Sequence, residues 1–184
     1  KPIREEKGID TSVFFDEDGK AYLYFVRFTN GNVIWCAELK DNLKEIKEET
    51  LTQCIEAVEP WEMVFGKVAE GPSILKRDGL YYLLYSANDF RSQDYAVGYA
   101  TSDSPFGPWK KNSKNPLLHK VDELVGTGHG APFADKDGNL RYVFHAHKSQ
   151  TEVNQRNSYI VDMSLSGKDQ VSIGGRLIHP AVVK

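Results

Sequence analysis

The stretch FFDEDGKAYLYF, from Phe14 to Phe25, consists of an apolar strand, an Asp-Gly turn and an aromatic-rich strand. The same pattern returns in ILKRDGLYYLLYSA, from Ile74 to Ala87, and in PFADKDGNLRYVFHA, from Pro132 to Ala146. Asp-Gly between two such runs is a strong hairpin signal, because glycine tolerates the positive φ that a tight turn requires. The sequence therefore predicts three β-hairpins of one design.

The three turns repeat at a near-constant period, since Gly19, Gly79 and Gly138 are 60 and 59 residues apart. Self-similarity at a fixed period indicates a repeat architecture, and hairpins without a helical partner favour a β-propeller. Further strands are predicted after each hairpin, in NVIWCAEL, YAVGYATS and SYIVDMSL. We therefore predict an all-β chain that forms a single partial β-propeller domain over residues 1–184, with blades beginning near residues 9, 69 and 128.

The number of repeats is too small for a closed ring. At about 60 residues per unit, the 184 residues make about three blades, whereas closed propellers typically have four to eight. Three units leave open sheet edges, and such edges pair readily with other chains. We therefore expect either that missing N-terminal blades complete the ring or that the chain self-associates through its open blade edges.

One connection departs from the strand pattern. The segment from Lys44 to Val58 is rich in charge, so we predict an insertion or a short helix there, outside the core. Cys36 and Cys54 are the only cysteines, and their spacing matches no zinc site. Cys36 is predicted to be a small buried residue, and a disulfide with Cys54 remains open.

Composition excludes several classes of function. The chain has a net charge of −3 and contains 40% hydrophobic and 11% aromatic residues, which indicates a globular β protein. No basic stripe interleaves with the aromatic residues, so we expect no nucleic-acid partner. No apolar run approaches the length of a membrane span and no signal peptide opens the sequence, so we expect no membrane partner.

Three polar residues that core packing would not select occur at the same phase of the repeat. They are Asp10 in GIDTSVFF, Glu70 in AEGPSIL and His129 in GTGHGAPF, again 60 and 59 residues apart. The innermost strands of a propeller surround a central channel, so residues at equivalent strand mouths converge on the axis. Each residue alone fits an ordinary loop position, but the shared phase predicts one funnel that holds two carboxylates and an imidazole.

These motifs resemble a known family. IDTSVFFDEDGKAYLYF, VAEGPSILKRDGLYYLLYSA, YAVGYATSDSPFGPW and GTGHGAPFADKDGN are similar, in that order, to the later blades of glycoside hydrolase family 43. Members are five-bladed β-propellers that cleave arabinose- and xylose-containing plant polysaccharides with inversion of configuration. The resemblance implies three of five blades, an inverting glycosidase, a carbohydrate substrate and no required cofactor. It favours a secreted or periplasmic protein, although the sequence itself leaves the location open.

The resemblance also implies roles for the three phased residues. Glu70 matches the general acid of the family, and Asp10 matches the carboxylate that orients the acid and raises its pKa. His129 matches a substrate-pocket histidine that in some members contacts a structural calcium, so it is a candidate for both sugar and metal binding. The general base belongs to the first blade of the family pattern, which is missing from this chain.

The chemistry of inversion agrees with these roles. An acid that works near neutral pH needs a raised pKa, and a nearby like charge raises it. An inverting enzyme also needs a base roughly 6.5–9.5 Å from the acid, which leaves room for a water. The alternative that Asp10 itself is this base remains open at this stage.

Other candidate residues carry weaker signals. Trp61 in EPWEMVF precedes Glu70 by nine residues and is a candidate to stack on a sugar, with core packing as an equal alternative. Arg156 in NQRNSY is a candidate to bind a sugar hydroxyl. His145 and His147 alternate on one strand face, but no third ligand of matching phase completes a metal site, so packing or a hydrogen bond to the funnel is favoured.

Two functional hypotheses follow from the sequence. The first is an inverting glycosidase acting on arabinose- or xylose-containing plant polysaccharides or oligosaccharides, with its general base outside this chain. The second is a non-catalytic carbohydrate-binding or vestigial propeller fragment. The two differ in whether a base completes the pocket. A scaffold of the kelch or WD type fits less well, because the period is longer and its sequence signature is absent.

Overall fold

The computed structural model describes residues 3, 5–153 and 155–181, and regular structure in these residues is almost entirely strand. The strands are β1 (Gly8–Phe15), β2 (Ala21–Arg27), β3 (Val33–Glu38), β4 (Thr52–Ile55), β5 (Ala69–Arg77), β6 (Leu80–Ala87), β7 (Ala96–Ser102), β8 (Lys110–Lys111), β9 (Gly128–Ala134), β10 (Leu140–His147), β11 (Arg156–Ser166) and β12 (Gln170–Ile178). Two short 3-10 turns cover Glu48–Thr50 and Pro60–Glu62. No helix in the described ranges is long and apolar enough to cross a membrane.

The strands form three antiparallel sheets of four strands each, in chain order. Strands β1–β4 make the first sheet, β5–β8 the second and β9–β12 the third. This architecture confirms the predicted all-β partial propeller. The first strands of the sheets begin at Gly8, Ala69 and Gly128, beside the predicted blade starts near 9, 69 and 128.

The repeated Asp-Gly turns join the first two strands of each sheet, as the sequence predicts. Gly19, Gly79 and Gly138 have φ angles of +83°, +78° and +81°. These angles lie in the left-handed region, where a side chain is strained and glycine is not. The three predicted hairpins are therefore confirmed.

The connection predicted as an insertion or short helix proves to be a strand. Residues Thr52–Ile55 pair with β3, with Thr52 opposite Cys36 and Ile55 opposite Ile34. Only Glu48–Thr50 forms a helical turn, and Ile55 is buried in the core. The prediction was wrong because local charge outweighed the need of β3 for a second hydrogen-bonded neighbour. Both cysteines are free, and Cys36 is buried as predicted.

The core lies between the sheets and is rich in tyrosine. Alternate residues of β6 face opposite neighbours, so Tyr85 packs toward the first sheet and Tyr82 toward the third. The Tyr81 hydroxyl donates to the Asp16 carboxylate of the first sheet. The middle sheet is therefore packed against both neighbouring sheets, so the starts of the first strands of the three sheets have fixed positions relative to one another.

Candidate active site

The structure brings the three phased residues together. Asp10, Glu70 and His129 each lie near the start of the first strand of their sheet, and their donor atoms all fall within 4.8 Å of one another. His129 Nε2 is 3.9 Å from Asp10 Oδ1, and the backbone N–H of Gly71 donates to Asp10 Oδ2 at 3.2 Å. Two carboxylates and an imidazole therefore share one location on the propeller axis.

A β-bulge turns each of these side chains toward the axis. The register of β1 shifts between Ile9 and Ser12, and that of β5 shifts between Glu70 and Ser73. Asp10 and His129 have φ angles of 56° and 49°, a left-handed conformation that is costly for residues other than glycine. Strained backbone at residues other than glycine is concentrated at functional sites. Bulges are also common there, because they change the direction of a side chain.

Gly71 is needed for the close approach of two strands. Its φ is +58°, and a Cβ at this position would lie 3.2 Å from the His129 ring. A side chain here would push the imidazole away from Glu70. In the Glu70-Gly71 pair, Glu70 therefore supplies the acidic group, and Gly71 leaves room for the His129 ring.

Glu70 is buried, and each of its carboxylate oxygens has a fixed donor. The Tyr95 hydroxyl donates to Oε1 at 2.8 Å, and the Asn32 amide donates to Oε2 at 2.9 Å. Burial raises the pKa of Glu70, and the negative charge of Asp10 raises it further, whereas the bonds from Tyr95 and Asn32 lower it and His129 opposes the rise. The net direction is upward, because the loss of water and a like charge both disfavour the ionised form.

Tyr95, which the sequence analysis did not single out, is the most enclosed member of the site. Its ring is fully buried, stacks on His145 at 5.7 Å between centroids, and passes so close to Gly128 that a Cβ there would overlap it. Burial and, after it, the negative charge of Glu70 raise the Tyr95 pKa well above 10, so the hydroxyl keeps its proton as a donor. Tyr95 is therefore a positioning residue for the Glu70 carboxyl.

A cavity of about 340 Å³ opens above these groups. Its lining consists of Ile9, Asp10, Asn32, Val68, Glu70, Asp89, Phe90, His129 and Arg156. A second opening, lined by His129, His145, Gln155 and Arg156, adjoins it. The structure thus brings Arg156, a predicted sugar-binding residue, to the same cavity as the three phased residues.

Arg156 is held at the cavity wall by two neighbours. Its guanidinium lies 4.8 Å from the centroid of the Phe90 ring, and Nη1 is 3.0 Å from His145 Nε2. Burial lowers the pKa of His145 to about 3, and the positive charge of Arg156 adds to this effect. His145 is therefore neutral, so Nε2 accepts from Arg156. His147 Nε2 donates to the Phe90 carbonyl at 2.7 Å, so His147 forms a structural hydrogen bond to a residue of the cavity lining.

Trp61 is the one predicted site residue that the structure does not bring to the cavity. Its ring packs beside Tyr85, at 6.1 Å between centroids, and against Gly98, where a Cβ would lie 2.8 Å from the indole. The Trp61 carbonyl accepts from the buried Asn88 amide. The indole faces are therefore used for core packing, and sugar stacking by Trp61 is not supported by its position.

Asp89 is the third carboxylate of the cavity lining, and it is already paired. Its two oxygens accept from Arg91 Nε and Nη2, both at 2.7 Å. Hydrogen bonds from Arg91 lower the pKa of Asp89. A carboxylate bound in this bidentate way has little basicity left. Asp10 has a carboxylate oxygen within 4.8 Å of one of Glu70, closer than the roughly 6.5–9.5 Å that an inverting acid and base require. The described cavity lining therefore contains no carboxylate well placed to deprotonate a water.

The donor set of the site does not fit a calcium ion bound between the three residues. Calcium prefers six to eight oxygen ligands, whereas the group offers two carboxylates and one imidazole nitrogen. Both Glu70 oxygens already accept hydrogen bonds from Tyr95 and Asn32. A cation against Glu70 would also favour the ionised form that burial disfavours.

Comparison with known proteins places this geometry in context. The model of the glycosyl hydrolases family 43 matches residues 1–168. A β-D-galactofuranosidase of Aspergillus niger is 30% identical over 139 residues, which cover 76% of this chain and 37% of that protein. A xylosidase/arabinosidase of Butyrivibrio fibrisolvens is 30% identical over 149 residues, which cover 77% of this chain and 29% of that protein.

A solved structure from Bacteroides thetaiotaomicron, described as an endo-1,4-beta-xylanase, superimposes on the entire chain. The two share 59% sequence identity with a TM-score of 0.97, and the match covers 100% of this chain and 64% of that one. The chain therefore spans about two thirds of this solved structure and a smaller part of the curated relatives. Since the family model covers most of the chain, the protein belongs to the glycosyl hydrolases family 43.

Proposed function

We propose that this chain supplies the general acid of an inverting glycosidase that hydrolyses arabinose- or xylose-containing plant polysaccharides or oligosaccharides. The observation that carries the proposal is the buried Glu70 carboxyl beside Asp10, at the base of a polar cavity. A carboxyl whose pKa is raised by burial and a like charge keeps a proton to give to a glycosidic oxygen. Membership of the family supports this reaction class.

The proposed reaction starts with a sugar in the cavity and its glycosidic oxygen facing Glu70. Glu70 donates its proton to this oxygen as the bond to the anomeric carbon breaks. A water then attacks the opposite face of the sugar, and a base takes the proton that this water loses. Asp89 is bound to Arg91, and Asp10 lies too close to Glu70 to leave room for the attacking water. We therefore assign the base to a carboxylate outside the 184 residues.

The remaining cavity residues suit recognition of a neutral sugar. Arg156 is exposed and lines the cavity, and His129 Nε2 lies 3.9 Å from Asp10 Oδ1. Sugar hydroxyls are bound in pockets of this kind by a few fixed polar groups. Since Arg156 is anchored by His145 and Phe90, it is suited to fix the orientation of a bound pentose.

The relatives support a glycosidase, since they include a β-D-galactofuranosidase and a xylosidase/arabinosidase. The second of these supports the arabinose- or xylose-containing substrate class. To test the proposal, we would incubate the 184-residue chain, and beside it the full product of its gene, with 4-nitrophenyl α-L-arabinofuranoside and β-D-xyloside. Release of the inverted anomer, seen by proton NMR before mutarotation, supports the proposal. Release of the retained anomer, or no hydrolysis by the full gene product, contradicts it.

A non-catalytic carbohydrate-binding protein is the second candidate function. It is favoured by the pairing of Asp89 with Arg91, which leaves the described cavity without a suitable base. Calorimetric binding of pentose oligosaccharides by the full gene product, with no hydrolysis over days, would select this candidate.

Two substitutions are expected to move the pKa of Glu70 in opposite directions. Asp10→Asn removes a like charge that raises this pKa, so the alkaline limb of the activity profile moves to lower pH. Tyr95→Phe removes a hydroxyl that lowers the pKa, so the same limb moves to higher pH. The measurement is kcat/KM against pH, which reports the free enzyme. Shifts of equal sign would show that the two groups do not act on Glu70 as described.

A further inference from the structure

Two loops of the middle sheet expose aromatic and apolar side chains at the cavity end. The loop between β4 and β5 carries Met63, Val64 and Phe65, and the loop between β6 and β7 carries Phe90, all exposed. Phe65 is the most accessible aromatic residue at this end, with 57% of its surface exposed. The sheets on both sides of the middle sheet are present, so a missing neighbouring blade does not account for this exposure.

The Phe65 ring is held in place from one side. The buried Asn88 side chain accepts from the backbone N–H of Val64 at 2.7 Å, which fixes the loop. The Arg91 guanidinium lies 5.5 Å from the Phe65 ring centroid, and Asp89 holds that guanidinium in a bidentate pair. One face of the ring is therefore backed by a fixed cation, and more than half of the residue's surface remains open to solvent.

This ring adjoins the wall of the cavity that contains Glu70. Asp89 and Phe90, which follow Asn88 in the second loop, line the cavity, and so does Val68 from the first loop. Gly66, next to Phe65, approaches the Asp89 side chain, since a Cβ on it would lie 4.0 Å from Asp89 Cβ. Val68 and Asp89 thus connect the cavity lining to the two loop segments that carry Phe65 and Arg91.

The chemistry of this surface suits a sugar. A pyranose or furanose ring has an apolar face of C–H groups and a rim of hydroxyls, so it matches a flat aromatic ring beside charged hydrogen-bonding groups. In the proposed reaction Glu70 protonates the glycosidic oxygen, so the sugar beyond that oxygen belongs to the leaving group. The Phe65 ring lies outside the cavity, where that part of a longer substrate would extend.

We propose that Phe65, backed by Arg91, forms a binding subsite for a sugar of the leaving-group chain, so that the site prefers oligosaccharides longer than a disaccharide. The inference rests on the proposed function and deepens it, since it names the length of the substrate. Stacking of one sugar on one aromatic ring predicts a gain of about tenfold in affinity for the longer ligand.

The test measures binding without hydrolysis, in the Glu70→Gln background of the full gene product. Affinities are determined by calorimetry for xylohexaose and xylobiose, and for the α-1,5-linked arabinohexaose and arabinobiose. The expected result is that one series shows a ratio of about tenfold between the long and the short ligand. Phe65→Ala is expected to reduce this ratio to near one, and Phe65→Tyr, which retains the flat ring, is expected to restore it.

Phe15→Ala is the matched control. Phe15 is also an exposed phenylalanine, at 62%, but it lies beside the Asp-Gly turn at the opposite end of its sheet. The ratio is expected to be unchanged in this variant. The proposal is overturned if neither series shows a length preference, if Phe65→Ala keeps the ratio, or if Phe15→Ala loses it equally. Failure of the proposed function would show differently, as turnover that survives Glu70→Gln.

Discussion

Glu70→Gln is expected to lower the hydrolysis of natural pentose disaccharides by roughly 100- to 10,000-fold, the range that a general acid contributes. Glutamine has the shape of the protonated acid but holds no proton that it can transfer to oxygen. It also preserves the packing of the site, since its amide oxygen accepts from Tyr95 and the Asn32 amide can turn to present its own oxygen. The measurement is steady-state kinetics of the full gene product on xylobiose and arabinobiose.

The leaving group distinguishes a lost acid from a disturbed fold. A nitrophenol leaves without protonation far more readily than a sugar does, so the loss on 4-nitrophenyl glycosides is expected to be much smaller than the loss on disaccharides. A variant that is merely misfolded would lose both activities in proportion. Equal losses on the two substrate types, or full retention of disaccharide hydrolysis, would contradict the role of Glu70 as the proton donor.

Glu62→Ala is expected to lower the free energy of unfolding by about 3–5 kcal/mol, which is typical when one partner of a buried ion pair is removed. Glu62 is fully buried. Its carboxylate accepts from Lys111 Nζ and from the Tyr85 hydroxyl, each at 2.6 Å, and from the backbone N–H groups of Val58 and Glu59, each at 2.8 Å. The substitution leaves all four donors without this acceptor.

The measurement is denaturant unfolding of the 184-residue chain, with Glu49→Ala as the control. Glu49 is an exposed glutamate in the other 3-10 turn, and its loss is expected to change stability by less than about 0.5 kcal/mol. The same carboxylate fixes the start of the loop that leads to Phe65 and Val68, so the loop should loosen as stability falls. A Glu62→Ala variant as stable as the Glu49→Ala variant would show that this network does not stabilise the fold.

Most of the fold could be predicted from the repeat, because the sequence signals for its hairpins are local. The Asp-Gly turns at Gly19, Gly79 and Gly138 need only two residues and a glycine φ, so sequence identifies them directly. The phase of Asp10, Glu70 and His129 was informative for a related reason, since equivalent positions in a repeat occupy equivalent places. Strand β4 was missed because its four uncharged residues, TQCI, lie within a charged connection and are fixed by pairing with β3.

The rest of the site depends on contacts between distant segments. Asn32 and Tyr95 reach Glu70 from 38 and 25 residues away, and neither has a local pattern that distinguishes it from a turn or core residue. Trp61 was a candidate for sugar stacking with core packing as an equal alternative, and its contacts with Gly98 and Tyr85 favour core packing. Such positions are determined by tertiary packing, which a single sequence does not display.

The most direct test of the account is the titration of Glu70 itself in the 184-residue chain. Carbon-13 NMR of labelled glutamate carboxyls, with Glu70→Gln to assign the signal, gives the midpoint without any need for turnover. We expect a midpoint above 4.5, the ordinary value for glutamate, because burial and Asp10 both disfavour the ionised form. A midpoint at or below 4.5 would contradict the claim that burial and Asp10 raise the pKa of Glu70.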